Sequence, residues 1–169
     1  MPEAAGELMK DDHDRQFAAL FDEYGSLLFR VGYALLGSGA DAEDAVQSVF
    51  LSLIRSRKSL SGIADMRAYL LSALRHAAAR IASRRTKEKR LMQQAARSEM
   101  ESTPVPKHDD AFELEKAVQS LPPEQREIIA LKIDGGLTFA EIAESLSISP
   151  NTAASRYRYA LEKLRAALQ

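Results

Sequence analysis

Asn151, Thr152, Ser155 and Tyr159 fall on one side of a helix when residues advance by about 100° each, and Arg156 and Arg158 flank that side. Amides and hydroxyls can bond base edges, and long cations beside them can reach phosphates, so this grouping could read a DNA groove. A solvated face on a bundle helix would use the same residue types, and context must decide between the two. Catalytic chemistry has little to build on. His13, His76 and His108 are scattered without metal-ligand spacing, and the carboxylates of "DAEDA" share one helical turn with no histidine near them in sequence. "GSG" and "GGL" lack the glycine spacing and following lysine of a phosphate loop, and there is no cysteine. The chain is therefore expected to be no enzyme and to need no cofactor or metal.

The groove-facing residues depend on two helices set at a tight corner. Thr138 and Glu141 form a capping box, followed by an apolar stripe of Phe139, Ile142, Ala143 and Leu146. Ser149 can cap the next helix, and Pro150 suits its first position, where no N–H is needed. Ile148 in the short corner can point inward, while Ala153, Tyr157, Ala160, Leu161, Leu164 and Leu168 face the core. This is the layout of a helix-turn-helix.

The net charge of -1 over 169 residues hides a strong segregation. Residues 1–54 hold 3 basic and 10 acidic side chains; residues 55–90 hold 11 and 2; residues 91–169 hold 9 and 12. A basic middle of this density is a footprint for a polyanion, and a merely solvated charge run becomes the weaker explanation. No segment reaches the ~20 apolar residues of a membrane span, and the acidic "MPEAAGELMKDDHD" is unlike a signal peptide. No membrane insertion and a cytoplasmic location are the expectations.

Apolar periodicity divides the chain into two helical blocks. Phe17, Leu20, Phe21, Tyr24, Leu28, Val31 and Leu35 form a long stripe that stops at "GSG". Asp41 is expected to cap a second helix whose inward residues are Ala42, Ala45, Val46, Val49, Phe50, Leu53 and Ile54. A third helix turns Met66, Tyr69, Leu70, Ala73, Leu74, Ala77 and Ile81 inward and closes in "RIASRRTKEKR". Residues 91–109 lose the stripe and contain Pro104 and Pro106, which suggests a linker. The second block opens at Asp110 with Leu114, Ala117, Val118 and Leu121 inward; Pro122 and Pro123 separate this helix from the next, which Gly135 and Gly136 end. The expected fold is all-α: two small helical domains, 10–90 and 110–169, joined by a linker over 91–109, the second a four-helix domain ending in the helix-turn-helix.

Three stretches in this order, "YGSLLFRVGYALLGSGADAEDAVQSVFLSLIRS", "MRAYLLSALRHAAARIASRR" and "LPPEQREIIALKIDGGLTFAEIAESLSISPNTAASRYRYALEKLR", resemble sigma factors of the extracytoplasmic-function group of the sigma-70 family. The resemblance covers roughly residues 15–90 and 110–168. It implies an exchangeable subunit of bacterial RNA polymerase. The first domain of such a subunit binds the clamp helices of the largest core subunit and opens the downstream promoter element. The second reads the upstream element and meets the flap of the second-largest subunit, and an anti-sigma factor is a further candidate partner.

Carried over by position, Asp41, Glu43, Asp44, Gln47 and Phe50 occupy the core-polymerase-binding segment. Arg67, Tyr69, His76, Arg80, Arg84 and Arg85, with the loop at 58–64, occupy the segment that engages downstream-element DNA. Its cations suit the holding of single strands. Asn151, Thr152, Ser155, Arg156, Arg158 and Tyr159 occupy the upstream-element helix. Several positions depart from the family pattern. Tyr69 stands where tryptophan is usual, His76 where asparagine is, and Ala154 and Tyr159 replace basic residues, while Arg158 takes a place where a neutral or aromatic residue is common. An upstream sequence other than the family's commonest motif is therefore expected. A stand-alone helix-turn-helix regulator would need a ligand or phosphoacceptor domain in place of "DAEDAVQSVF", and a nucleic-acid enzyme would need a catalytic cluster.

Overall fold

The computed structural model describes residues 3–56, 60–95 and 110–169. It is all-α, with no strand among these residues. Helix α1 spans Glu3–Leu36, α2 Gly39–Ser56 and α3 Met66–Ala95, with a short 3-10 turn at Leu60–Gly62 before α3. Helix α4 spans Asp110–Ser120 and α5 Pro123–Ile129, which continues as a wider π-helical turn over Ala130–Asp134; α6 spans Phe139–Leu146 and α7 Pro150–Ala167. The helix-turn-helix is thus α6 and α7 at the end of a four-helix block.

Each block buries most of the stripe expected of it. Leu28 and Val31 of α1, Ala45 and Val49 of α2, and Leu70 and Leu74 of α3 meet in one cluster, because three amphipathic helices can hide their apolar faces only against one another. Ala117 and Leu121 of α4 pack with Ile129, Ala160 and Leu164 in a second cluster. The first cluster does not stop at α3. Ile128, Leu131, Leu137, Ile142 and Ala153 of the second block belong to it, so the blocks lie against each other.

Polar contacts follow the same seam. The Tyr33 hydroxyl donates to the Glu115 carboxylate, Gln119 Nε2 donates to the Ala34 carbonyl at 3.2 Å, and the Arg67 guanidinium donates to the Gly135 carbonyl. Arg75 Nε lies 4.0 Å from Glu127 Oε1. Donating to the Glu115 carboxylate holds the Tyr33 hydroxyl above its ordinary pKa, with burial and the Glu115 charge acting in the same direction. Gly136, at φ +62, ends the π-helical turn, and a β-carbon there would collide with Arg67.

The structure departs from the sequence reading in several places, each with a local cause. Helix α2 starts two residues before Asp41: Gly37 at φ +65 closes α1, and the Ser38 hydroxyl then accepts from the Asp41 N–H at 3.3 Å, leaving Asp41 inside the first turn. Ile54 is exposed because it lies about 110° around the helix from the centre of the buried arc formed by Ala42, Ala45, Val46, Val49, Phe50 and Leu53. Phe21 is exposed too, with only an edge resting on Phe50. Leu114 is exposed because α4 packs on one side only, through Ala117 and Leu121, and Leu161 and Leu168 of α7 also face outward. Helix α3 runs to Ala95, five residues into the expected linker; residues 96–109 of that linker, like 58 and 59 of the 58–64 loop, lie outside the described residues. Leu71 and Ala78, absent from the expected stripe of α3, are buried because the second block covers a further face of this helix.

Candidate functional site

The corner between α6 and α7 is built from the residues that the capping pattern marks. Thr138 Oγ1 accepts from the Glu141 N–H at 3.2 Å, and the Thr138 N–H donates to Glu141 Oε2 at 2.6 Å. Ser147, left-handed at φ 53, ends α6, and the Ile148 N–H returns to the Ala143 carbonyl at 3.0 Å. Ser149 Oγ then accepts from the Thr152 N–H at 3.0 Å and opens α7. The two helices are held together by Ala153, fully buried, and by Phe139 edge-on to Tyr157 at 5.5 Å. Lys132 Nζ sits 5.0 Å over the Phe139 ring while donating to the Leu137 carbonyl at 2.9 Å, which ties the corner to the preceding helix.

The cap makes one prediction sharp. Thr138 hydrogen bonds hold the Glu141 carboxyl below its ordinary pKa. The associated stability is complete above the unfolded carboxyl's pKa and is lost as pH falls through the lower folded value. Thr138→Ala should therefore cost about 1 kcal/mol at neutral pH, and thermal melts of variant and wild type should draw closer on acidification. A gap that stays constant with pH would show that the box does not act through the carboxylate.

On the outer side of α7, Asn151, Arg158 and Tyr159 are exposed, while Thr152, Ser155 and Arg156 are half-buried. The Thr152 hydroxyl is shared with Ser149 Oγ at 2.8 Å, so it serves the cap as well as the face. Arg158 lies 5.5 Å from the Tyr159 ring, a cation resting on an aromatic that makes the two residues one unit. Arg156 also acts electrostatically on a carboxylate of its own block. Its charge, with those of Arg75 and His76, opposes the rise that burial imposes on the Glu127 carboxyl. Arg75 and Glu127 carry no signal in the sequence, since their meeting depends on α3 and α5 being adjacent.

The six residues expected at downstream-element DNA divide into groups. His76, Arg80 and Arg84 line a groove between α2 and α3 together with Ser48, Ser52 and Lys87, and Val49, Ala73 and Ala77 contribute apolar surface to it. His76 Nδ1 donates to the Ser72 carbonyl at 2.7 Å, which leaves Nε2 facing outward near Arg75 at 3.4 Å. Tyr69 is exposed by itself. Arg67 is engaged at Gly135, and Arg85 pairs with Asp41 at 2.5 Å, so neither points into the groove.

The five residues expected to meet polymerase divide as well. Glu43, Asp44 and Gln47 are exposed on the side of α2 that faces away from the core. Phe50 is buried, with its ring 5.1 Å from that of Phe21, and Asp41 is turned toward Arg85. Leu51 and Ile54, both about half exposed, complete the outward arc begun by Glu43, Asp44 and Gln47. The periodic reading overlooked Leu51 and misplaced Ile54; an apolar pair beside acids on a solvent face is the signal that would have found them.

The order of the two helical blocks along the chain matches known proteins. The family description Sigma-70 region 2 covers residues 20–89, and Sigma-70, region 4 covers residues 111–164. The chain is 32% identical over 159 residues to the ECF RNA polymerase sigma factor SigL of Mycobacterium tuberculosis, spanning 89% of this chain and 88% of that one. The chain belongs to the extracytoplasmic-function sigma factors. It is also 30% identical over 165 residues to the RNA polymerase sigma factor CarQ of Myxococcus xanthus, with 94% and 92% of the two chains covered.

Among solved structures, the sigma factor RpoE in complex with the anti-sigma factor NepR from Bartonella quintana has a TM-score of 0.68 at 24% identity, covering 89% of this chain and 96% of that chain. CnrH in complex with the cytosolic domain of CnrY has a TM-score of 0.65 at 22% identity, covering 92% and 88%. Both likenesses concern the fold. Sigma factors are non-enzymatic transcription initiation factors. No group of three metal-ligating side chains occurs among the described residues of this chain. No described helix is long and apolar enough to cross a membrane.

Proposed function

We propose that this sigma factor divides its work between a region 2 domain over residues 10–90 and a region 4 domain over 110–169, joined by the linker at 91–109. In this reading the outward face of α2, with Glu43, Asp44, Gln47, Leu51 and Ile54, docks on the clamp helices of the largest polymerase subunit. Exposed acids beside exposed apolar side chains suit a basic, partly apolar partner. The α2–α3 groove, through His76, Arg80 and Arg84, holds downstream-element DNA, where cations follow the backbone, and Tyr69, about two helical turns before His76 on α3, can accept a base. Helix α7 enters the groove of the upstream element, and its block meets the flap of the second-largest subunit. An anti-sigma factor is the further partner class suggested by the likeness to RpoE, solved in complex with the anti-sigma factor NepR. A cytoplasmic setting accords with these partners.

One observation carries the promoter assignment. Helix α7 is capped, anchored by buried Ala153, Ala160 and Leu164, and presents Asn151, Arg158 and Tyr159 to solvent. Transcription reconstituted with purified core polymerase tests it: the chain should confer initiation at promoters that core alone ignores, and an inability to do so would remove the reading.

The side chains of α7 should separate by role. Arg158→Ala should weaken binding of the polymerase complex to all upstream sequences alike and reduce the salt slope by about one unit. Asn151→Ala and Tyr159→Ala should instead cost on the order of 1–3 kcal/mol on the cognate element and alter preference at one or two base pairs. A library of upstream elements reads both effects. An unchanged preference profile for Asn151→Ala would leave that residue a helix-start residue only.

A further inference from the structure

We infer that Arg85 is a positioning residue for polymerase docking: it fixes the corner at which α2 leaves α1, and through it the placement of Glu43 and Asp44. The inference rests on the assignment of the α2 face to polymerase.

Only Gly37 and Ser38 separate α1 from α2. The backbone bonds at this corner are local. The Gly37 N–H returns to the Tyr33 carbonyl at 2.7 Å, and the Ala42 N–H to the Ser38 carbonyl at 2.9 Å. Such bonds shape each helix end but leave the angle between the helices to side-chain contacts. Arg85 reaches the corner from α3. Its Nη1 is 2.5 Å from Asp41 Oδ2 and 3.5 Å from the Leu36 carbonyl oxygen. One guanidinium thus bridges the last carbonyl of α1 and a carboxylate in the first turn of α2.

Both contacts have the sign that helix ends favour, a cation at a C-terminus and an anion at an N-terminus. The Asp41 side chain is only 17% exposed, which spares the pair much of the screening that weakens surface ion pairs, although Arg85 itself is 43% exposed. Glu43 and Asp44 follow within one turn of Asp41, so a tilt of the first turn of α2 moves them directly. Arg84 goes a different way. It lines the groove with His76 and Arg80 and lies 3.8 Å from Glu88 in an exposed pair. Two adjacent arginines of one basic run therefore serve different partners, one facing nucleic acid and one facing the protein's own corner.

The test is a double-mutant cycle read as affinity for core polymerase in the absence of DNA, with circular dichroism melts establishing that each variant is folded. Arg85→Ala and Asp41→Ala should each weaken core binding roughly tenfold, and the double variant should be no worse than either alone. Arg85→Lys, which keeps the charge but not the forked geometry, should recover part of the loss. A role confined to DNA predicts the reverse: normal core binding by Arg85→Ala, with a reduced salt slope for promoter binding. The Asp44→Lys variant separates the two levels of the inference. If Asp44→Lys weakens core binding and Arg85→Ala does not, Arg85 is no positioning residue; if neither weakens it, the polymerase assignment of α2 itself is wrong. Additive losses in the cycle would also overturn the coupling through Asp41.

Discussion

Asp44→Lys is expected to weaken association with core RNA polymerase by on the order of a hundredfold, because it places a cation where the exposed acids of α2 would meet a basic partner. Asp44 is exposed and stands on the same outward arc as Gln47, Leu51 and Ile54. The substitution lies on the solvent side of α2, away from the buried arc through Val46, Val49 and Leu53, so the fold should survive it. Equilibrium titration of labelled protein with core polymerase measures the effect, and raising the salt should shrink the difference between variant and wild type. Wild-type affinity in Asp44→Lys would mean that polymerase meets another face. Leu51→Ala supplies an independent view of the same surface: loss of an exposed side chain should scarcely change thermal stability, yet it should weaken core binding if the arc is buried in the complex.

Leu131→Ala should be among the most damaging single substitutions to stability, costing about 2–5 kcal/mol. Leu131 is fully buried in the π-helical turn after α5, and it belongs to the cluster that also contains Leu28 and Val31 of α1. Its neighbours are held on several sides, so the vacated volume cannot collapse freely and the cavity persists. For a chain of this length a loss of that size corresponds to a fall in Tm of about 4–20 °C, at roughly 2–4 °C per kcal/mol. Denaturant unfolding should show the midpoint moving. Leu114→Ala, on the one-sided helix α4, should stay within about 0.5 kcal/mol of wild type; a comparable loss at both positions would contradict the burial pattern on which the comparison depends.

Local signals in the sequence were enough to specify the seven described helices and the corner between α6 and α7, though not the start of α2 or the end of α3. Thr138 with Glu141, and Ser149 with Pro150, mark the helix-turn-helix because caps are satisfied within a few residues of themselves, and both form as expected. The stripes through Leu28, Val49, Leu74 and Ile142 became core for a similar reason, since a 3.6-residue period decides which side of a helix avoids water. Of the set expected outward on α7, the exposure of Asn151, Arg158 and Tyr159 was legible on the same grounds.

Tertiary structure decided which of the cations and acids remain free. Arg67, Arg84 and Arg85 look alike in a basic run, yet one meets Gly135, one lines the groove and one closes on Asp41, because each points about 100° further around α3 per residue and the partners come from distant helices. Phe50 turned inward and Leu51 outward for the same angular reason, and the burial of Leu71 and Ala78 required a second block whose position no local period encodes. Periodicity says how a helix divides into faces, whereas the number of neighbours that cover those faces is a property of the packed chain.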